Sequence, residues 1–275
     1  MDEKEEIPLN IYYCSDLHLE FHNIDLDTFN VPNSKDSILL LCGDIANIET
    51  LLRDNKAYND YSEESHSIDF FNFITNNFRK IIYVTGNHEH YLQNDINTGV
   101  KDLKLVFKRY NNLHIVSEGE LIEVDDTAFV CGTMWTDFNN EDPITLMNAP
   151  KMISDFRQIV DGHFTVKPST ILKKFKSFNH WVDSLDLSSY NKTILVTHHS
   201  PTFKVVHPIY ENERIMNGLF ASNCEKLLSK FDYAFYGHMH QGLDVEINDC
   251  KVLSNARGYP NELGLYIFKL KCIGI

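Results

Sequence analysis

The sequence predicts an α/β fold in which two β-sheets face each other and helices cover their outer sides. Three observations lead there. Short, almost unbroken apolar runs recur along the chain, bounded by glycine or polar residues, as strands buried on both faces require. Stretches with a helical apolar period lie between several of them. The strongest runs end abruptly in clusters of Asp, His or Asn, and in α/β folds ligand sites collect beyond the carboxyl ends of strands.

Taken in order, residues 11–14 form the first such run, stopping at Ser15-Asp16, and residues 38–42 the second, stopping at Gly43-Asp44. Residues 53–67 (RDNKAYNDYSEESHS) are polar and are expected to form a surface loop. A helix is expected over 67–78, ahead of a strand at 81–84 that ends in Thr85-Gly86-Asn87-His88. Residues 120–133 read as a hairpin, with Asp125-Asp126 between two apolar halves. The stretch 138–165, with Pro143 and Pro150, is the least regular; it is either a cover over a site mouth or an excursion without function. Ser169 precedes a helical period carried by Ile171, Leu172, Phe175, Phe178, Trp181 and Val182, so a helix is expected over 171–185. A strand at 194–196 runs into Thr197-His198-His199. A short helix is expected over 224–230, and a strand at 233–236 runs into Gly237-His238. Residues 245–253 and 265–270 read as two last strands. No internal repeat or Gly/Ser tract divides the chain, which predicts one domain, 1–275.

Composition narrows the class. With 43% hydrophobic and 23% charged residues the chain reads as an ordinary globular protein, large enough to need no disulfide staples. The six cysteines are scattered without a C-x-x-C pair, as expected of buried thiols in a reducing compartment. The acidic start MDEKEEIPLN does not resemble a targeting peptide, and no apolar run approaches the roughly 20 residues of a membrane span. A cytoplasmic location without membrane association is therefore expected. The net charge of -14, with no dense Lys/Arg block, argues against a long nucleic-acid duplex as partner.

The polar clusters carry the chemistry. On an extended segment Asp16 and His18 would point the same way and reach one point. At Gly43-Asp44 the glycine permits a tight turn, and the carboxylate has two oxygens that could bridge two cations. In Gly86-Asn87-His88-Glu89, Asn87 would bind through its amide oxygen while His88 faces elsewhere, free to handle protons. His198 comes directly off its strand and is the ligand candidate; His199 is left to packing or to substrate contact. Gly237-His238-Met239-His240 adds two histidines in alternation. Singly, each cluster could be a strand-ending turn. Together, five strand ends supply Asp16, His18, Asp44, Asn87, His198, His238 and His240. A mixed nitrogen and oxygen set without cysteine suits Mn, Fe, Zn or Ni, with manganese favoured, and seven ligands imply two divalent metal ions.

The order D-x-H, G-D, G-N-H-E, H, G-H-x-H over residues 16–240 resembles the calcineurin-like metallophosphoesterase superfamily. The segments SDLHLEF, TMWTDF, THHSP and ARGYPNE are similar to one cytosolic branch of it. The resemblance implies a sandwich of two mixed β-sheets flanked by helices. It implies one metal held by Asp16, His18, Asp44 and His240 and the other by Asp44, Asn87, His198 and His238, with His88 as the catalytic histidine. The protein Ser/Thr phosphatases of the superfamily carry G-D-x-H-G and G-D-x-V-D-R-G, which this chain lacks. Lariat-debranching enzymes carry Cys where Asp16 stands.

The function this implies is hydrolysis of a phosphate ester. Two cations roughly 3.5–4 Å apart would clamp phosphoryl oxygens and acidify a bridging water, whose hydroxide attacks phosphorus in line. A phosphodiesterase acting on a small or nucleotide-like substrate is the leading expectation, since basic residues near the motifs are sparse. The alternatives are a phosphomonoesterase, or a non-catalytic protein-binding scaffold of the same fold. Arg257 could grip a phosphate bidentately or be a surface or salt-bridged arginine. Trp135 and Phe138 could stack on a base or simply pack.

Overall fold

The runs at Ile38–Cys42 and Lys80–Val84 contain almost nothing that could face water, and both become central strands of a parallel ladder. The computed structural model describes residues 8–60, 65–262 and 268–275. In chain order the strands of the first half are β1 (Asn10–Cys14), β2 (Ile38–Cys42), β3 (Lys80–Val84), β4 (Leu113–Val116), β5 (Glu120–Val124) and β6 (Thr127–Gly132). A two-stranded ribbon, β7 (Val160–Asp161) with β8 (Phe164–Thr165), precedes β9 (Lys192–Thr197) and β10 (Tyr233–Tyr236). The last strands are β11 (Val245–Ile247), β12 (Cys250–Ser254) and β13 (Lys271–Gly274). One sheet has the order β13-β1-β2-β3-β4 and the other β11-β12-β10-β9-β6-β5. Each is mixed: β1 to β4 run parallel with β13 antiparallel, and β12, β10, β9 and β6 run parallel with an antiparallel strand at either edge.

Alternation along the strands assigns each residue to a layer. Ile11, Tyr13, Ile38, Leu40, Ile82 and Val84 meet Phe129, Cys131, Ile194, Val196 and Phe235 between the sheets. Tyr12, Leu39, Leu41, Ile81 and Tyr83 face the other way, onto helices α1 (Ile48–Asp60), α2 (His66–Asn77) and α3 (Gly99–Val106). On the far side Ala128, Val130, Leu195, Ala234 and Tyr236 pack against α7 (Pro168–Ser184) and α9 (Glu225–Leu228). The predicted sandwich of two mixed sheets flanked by helices is what forms.

A fourth apolar cluster lies beside the sandwich, under α4 (Phe138–Glu141), α5 (Pro143–Met152), α6 (Asp155–Gln158) and α8 (Arg214–Phe220). The stretch expected to be irregular thus contains three short helices. The first, α4, is a left-handed turn, with φ of 54°, 59°, 58° and 61° at Phe138, Asn139, Asn140 and Glu141. Such a backbone costs on the order of 1–2 kcal/mol per L-residue. It is held by Asn139, whose amide donates to Thr145 Oγ1 and to the Arg214 carbonyl, and whose side chain lies where a Cβ on Gly218 would stand.

Three sequence expectations are corrected. Residues 53–60 are helical, as part of α1, because Ile48, Leu51 and Leu52 in its first turns anchor an otherwise polar helix to the core; residues 61–64 of that expected loop lie outside the described set. Residues 245–253 are two strands, β11 and β12, joined by left-handed Asn248 and Asp249. The last strand is β13, beyond the expected 265–270, of which 265–267 lie outside the described residues and 268–270 are not extended into the sheet. Among the described residues no helix is long and apolar enough to cross a membrane.

Candidate metal centre

The carboxyl ends of β1, β2, β3, β9 and β10 bring the seven candidate ligands to one place between the two sheets. Asp16 and His18 do not alternate on an extended segment. Both have left-handed backbone (φ 53° and 48°), as do Asp44 (54°) and His238 (64°), so each chain turns sharply as it leaves its strand. The turns are locked to one another: the Asp16 amide donates to the Gly43 carbonyl at 2.9 Å and the His18 amide to the Asp44 carbonyl at 3.0 Å. Gly43 and Gly86 are required by closeness, because a Cβ on the first would stand 2.2 Å from His198 Nδ1 and on the second 2.2 Å from Asp44 Oδ1.

Three overlapping groups of donors result: Asp16, His18 and His240; His18, Asp44 and His88; and Asp44, His198 and His238, each with its ligand atoms within 4.8 Å of one another. Hydrogen bonding fixes which atoms face inward. His198 Nδ1 lies 2.8 Å from the Cys42 carbonyl, which can only accept, so Nδ1 carries the proton and Nε2 presents a lone pair. That lone pair faces Asn87 Oδ1 at 3.0 Å, His238 Nδ1 at 3.2 Å and Asp44 Oδ1 at 3.4 Å. On the other side His18 Nδ1 donates to Glu20 Oε1 and His240 Nδ1 contacts Glu262, which turns both Nε2 atoms towards each other, 3.3 Å apart, and His240 Nε2 towards Asp16 at 3.4 Å. Electron pairs converging at such distances repel unless a cation lies among them. The donor set therefore fits divalent metal ions.

In the polypeptide by itself, protons play that part. Burial works against charge on His198, but the Asp44 and Asp16 carboxylates outweigh it and raise its pKa to about 10. Burial also opposes the charge on Asp44, yet His198 and His88 hold its carboxyl well below the usual range. His88 is 5% exposed; burial is again outweighed, by Asp44 and then Glu20, so its pKa lies above the ordinary value. Its Nδ1 is 3.1 Å from Glu20 and its Nε2 is 2.9 Å from the Tyr259 hydroxyl, while its ring stacks on Tyr91. His88 lines a cleft of about 450 Å³ together with Asp44, Asn87, His238, His240 and Tyr259.

Two expected substrate contacts are not placed in that cleft. The Arg257 guanidinium is committed to carbonyl oxygens, with Nη1 donating to Leu17 and His22 and Nη2 to Asn23, so it clamps the loop beyond His18. Burial lowers its pKa to about 10. His199 is 1% exposed, behind His238 and against Trp135, and burial with the neighbouring His198 charge lowers its pKa to about 3. Trp135 and Phe138 are 3% and 1% exposed and pack in an apolar cluster, as the packing alternative has it.

Other residues position the site without having been singled out from the sequence. Glu89 is fully buried and accepts from the Asp44, Ile45 and Gly86 amides and the Tyr83 hydroxyl. Burial first, then the Asp44 charge, raises its pKa to about 7. Asp155, from the irregular stretch, accepts from Asn87 Nδ2 at 2.9 Å and from Tyr91 at 2.7 Å, which turns the Asn87 amide oxygen inward. Carboxylates of this kind look in a sequence like any surface charge.

The family model for calcineurin-like phosphoesterases matches residues 9–242. An uncharacterized protein of Acanthamoeba polyphaga mimivirus is 27% identical over 271 residues, covering 91% of each chain. Among solved structures, a phosphopantetheinyl hydrolase from Mycobacterium tuberculosis superposes with a TM-score of 0.67 at 14% identity, covering 97% of this chain and 96% of that one. A dimetal phosphatase from Danio rerio gives a TM-score of 0.49 at 12% identity, covering 90% and 88%.

Proposed function

The chain belongs to the calcineurin-like phosphoesterase family, and from that premise we propose that it hydrolyses a small phosphodiester with two divalent metal ions. Asp16, His18, Asp44 and His240 would hold one ion and Asp44, Asn87, His198 and His238 the other, with Asp44 shared. When bound, the pair supplies Lewis-acid charge to phosphoryl oxygens and lowers the pKa of water, and manganese suits the mixed imidazole and oxygen set.

The polypeptide supplies orientation and a proton. Glu20 holds His18 and His88 through one oxygen and so fixes both rings together. His88, whose pKa Asp44 and Glu20 raise against the effect of burial, holds Nδ1 to Glu20 and turns Nε2 to the cleft, where it would donate a proton. A leaving alkoxide at the position of the Tyr259 hydroxyl would receive that proton, and general acid catalysis of this sort contributes on the order of 10²–10⁴ in rate.

The observation that carries the preference for diesters is the absence of Lys and Arg among the described residues lining the cleft, since Arg257 is spent on backbone carbonyls. A diester brings one negative charge; a monoester dianion asks for more cations than are at hand. The raised pKa of His88 beside the cleft is what would favour a monoesterase. Six unpaired cysteines, five of them buried, support a cytoplasmic setting.

Metal-stripped protein is to be assayed on bis(p-nitrophenyl) phosphate and p-nitrophenyl phosphate with Mn, Mg, Zn, Ni or Fe restored. Metal-dependent turnover of the diester is expected, lost in Asp44→Asn, and lowered in kcat with metal content kept in His88→Ala. A preference for the monoester would reverse the substrate assignment. Two bound ions with no turnover of either ester would favour the scaffold.

A further inference from the structure

The cleft beside the candidate metal centre has two unlike walls. One is formed by the donors and the His88–Tyr259 pair. The other comes from the α5–α6 junction and from α8: Met152, Ile153, Met216 and Phe220, with Met239 at the floor. Met216 and Phe220 are four residues apart on α8 and share a face. Phe220 stacks on His238 at 4.5 Å, so the apolar wall begins where the donors end. Met152 lies at the open side of the cleft, with 36% of its surface exposed. Besides the histidines of the site, the lining of this cleft includes the acids Asp155, Glu213 and Glu262 and, among the described residues, no Lys or Arg.

We propose that the substrate is a monoanionic phosphodiester carrying an apolar alkyl or aryl group, and that this group lies on the wall of Met152, Ile153, Met216 and Phe220. The inference rests on the phosphodiesterase reading and adds to it the chemistry of the arm. Further phosphates or carboxylates on the arm would meet Glu213 and Asp155, and no Lys or Arg among the described residues lines the cleft to offset them. Methionine is suited to such a wall, because its unbranched, polarizable side chain adapts to groups of different shape. The volume of about 450 Å³ is that of a small-ligand pocket, room for one such ester rather than a polymer.

Two measurements on the full chain test this, the first with manganese bound and the second with diamagnetic zinc in its place. The first compares kcat/KM for p-nitrophenyl phenylphosphonate and p-nitrophenyl methylphosphonate, which share charge and leaving group and differ in the retained arm. Burial of the ring predicts a preference of about tenfold or more for the phenyl ester, falling towards one in the Met152→Gln, Met216→Gln double variant. The second follows methionine methyl resonances during titration with phenylphosphonate monomethyl ester. Met152, Met216 and Met239 are expected to shift, with Met134, in the core, unmoved. Equal kcat/KM for both esters with unmoved wall methyls would overturn the arm and leave the phosphodiesterase reading standing. Shifts at the wall without hydrolysis of either ester would support the arm and refute the catalytic reading. A preference for the methyl ester would overturn the proposal.

Discussion

Glu89 shows how much of a metal centre can hang on a residue that points away from it. Its carboxylate gathers three backbone amides and a tyrosine hydroxyl, and through them joins the turn after β2 to the turn after β3. Glu89→Gln replaces one acceptor oxygen with a donor facing donors. The expected result is a loss of about 1–3 kcal/mol in urea unfolding, with weaker manganese binding by calorimetry; unchanged values for both would disprove the bracing role. Asp155 acts at longer range, orienting the Asn87 amide. Asp155→Ala should lower metal affinity by roughly 10–100-fold, and metal titration of the variant measures it directly. The seven candidate ligands were legible because Asp, His and Asn at strand ends are chemically conspicuous. Glu89 and Glu20 stood inside quoted motifs and Asp155 in the irregular stretch, but no role was read for them, since burial and not residue type sets them apart from solvent-facing acids.

At the level of elements, the strands were read well because a run buried on both faces excludes polar residues, as in β2 and β3. The helix α1 was missed because its buried residues lie in its first turns, leaving 53–60 polar and without a period. The segment after β12 was read as the family-like run ARGYPNE and for the charge of Arg257, with no structural crossing expected of it. In the structure it crosses from one sheet to the other: Ala256 bridges Ser15, the Arg257 amide donates to Ser15 and its guanidinium ties down residues 17–23. Arg257→Met is therefore expected to destabilise the fold by about 2–3 kcal/mol, from carbonyls left unpaired, while KM for a diester changes less than threefold. A tenfold rise in KM with unchanged stability would return Arg257 to substrate binding.

For the molecule as a whole, acid is expected to weaken the fold through histidines buried neutral. His90 is fully buried, and burial followed by the Lys174 charge lowers its pKa from 6.5 to about 4 against the opposing effect of Asp95. Between those values the unfolded chain binds a proton that the folded chain refuses. Stability rises with pH through this window, is lost on acidification from 6.5 towards 4, and changes no further below it from this source. At pH 5 the loss is about 2 kcal/mol. His90→Leu should remove it, so wild type and variant are compared by urea unfolding at pH 7 and pH 5. The same pH dependence in both proteins would locate the acid sensitivity elsewhere.

The candidate ligands come from both sheets, with Asp16 and His240 near opposite ends of the described chain yet 3.4 Å apart. Ribosomes add about 5–20 residues per second, so many seconds separate the synthesis of these two partners. During that interval Asp16, His18, Asp44 and Asn87 leave the ribosome without the imidazoles that complete their sites. A nascent chain stopped before β10 can pair β1 to β4 but holds only part of each donor group. Both donor groups are therefore complete only once β10 has paired beside β9, so the candidate centre can form no earlier than that pairing.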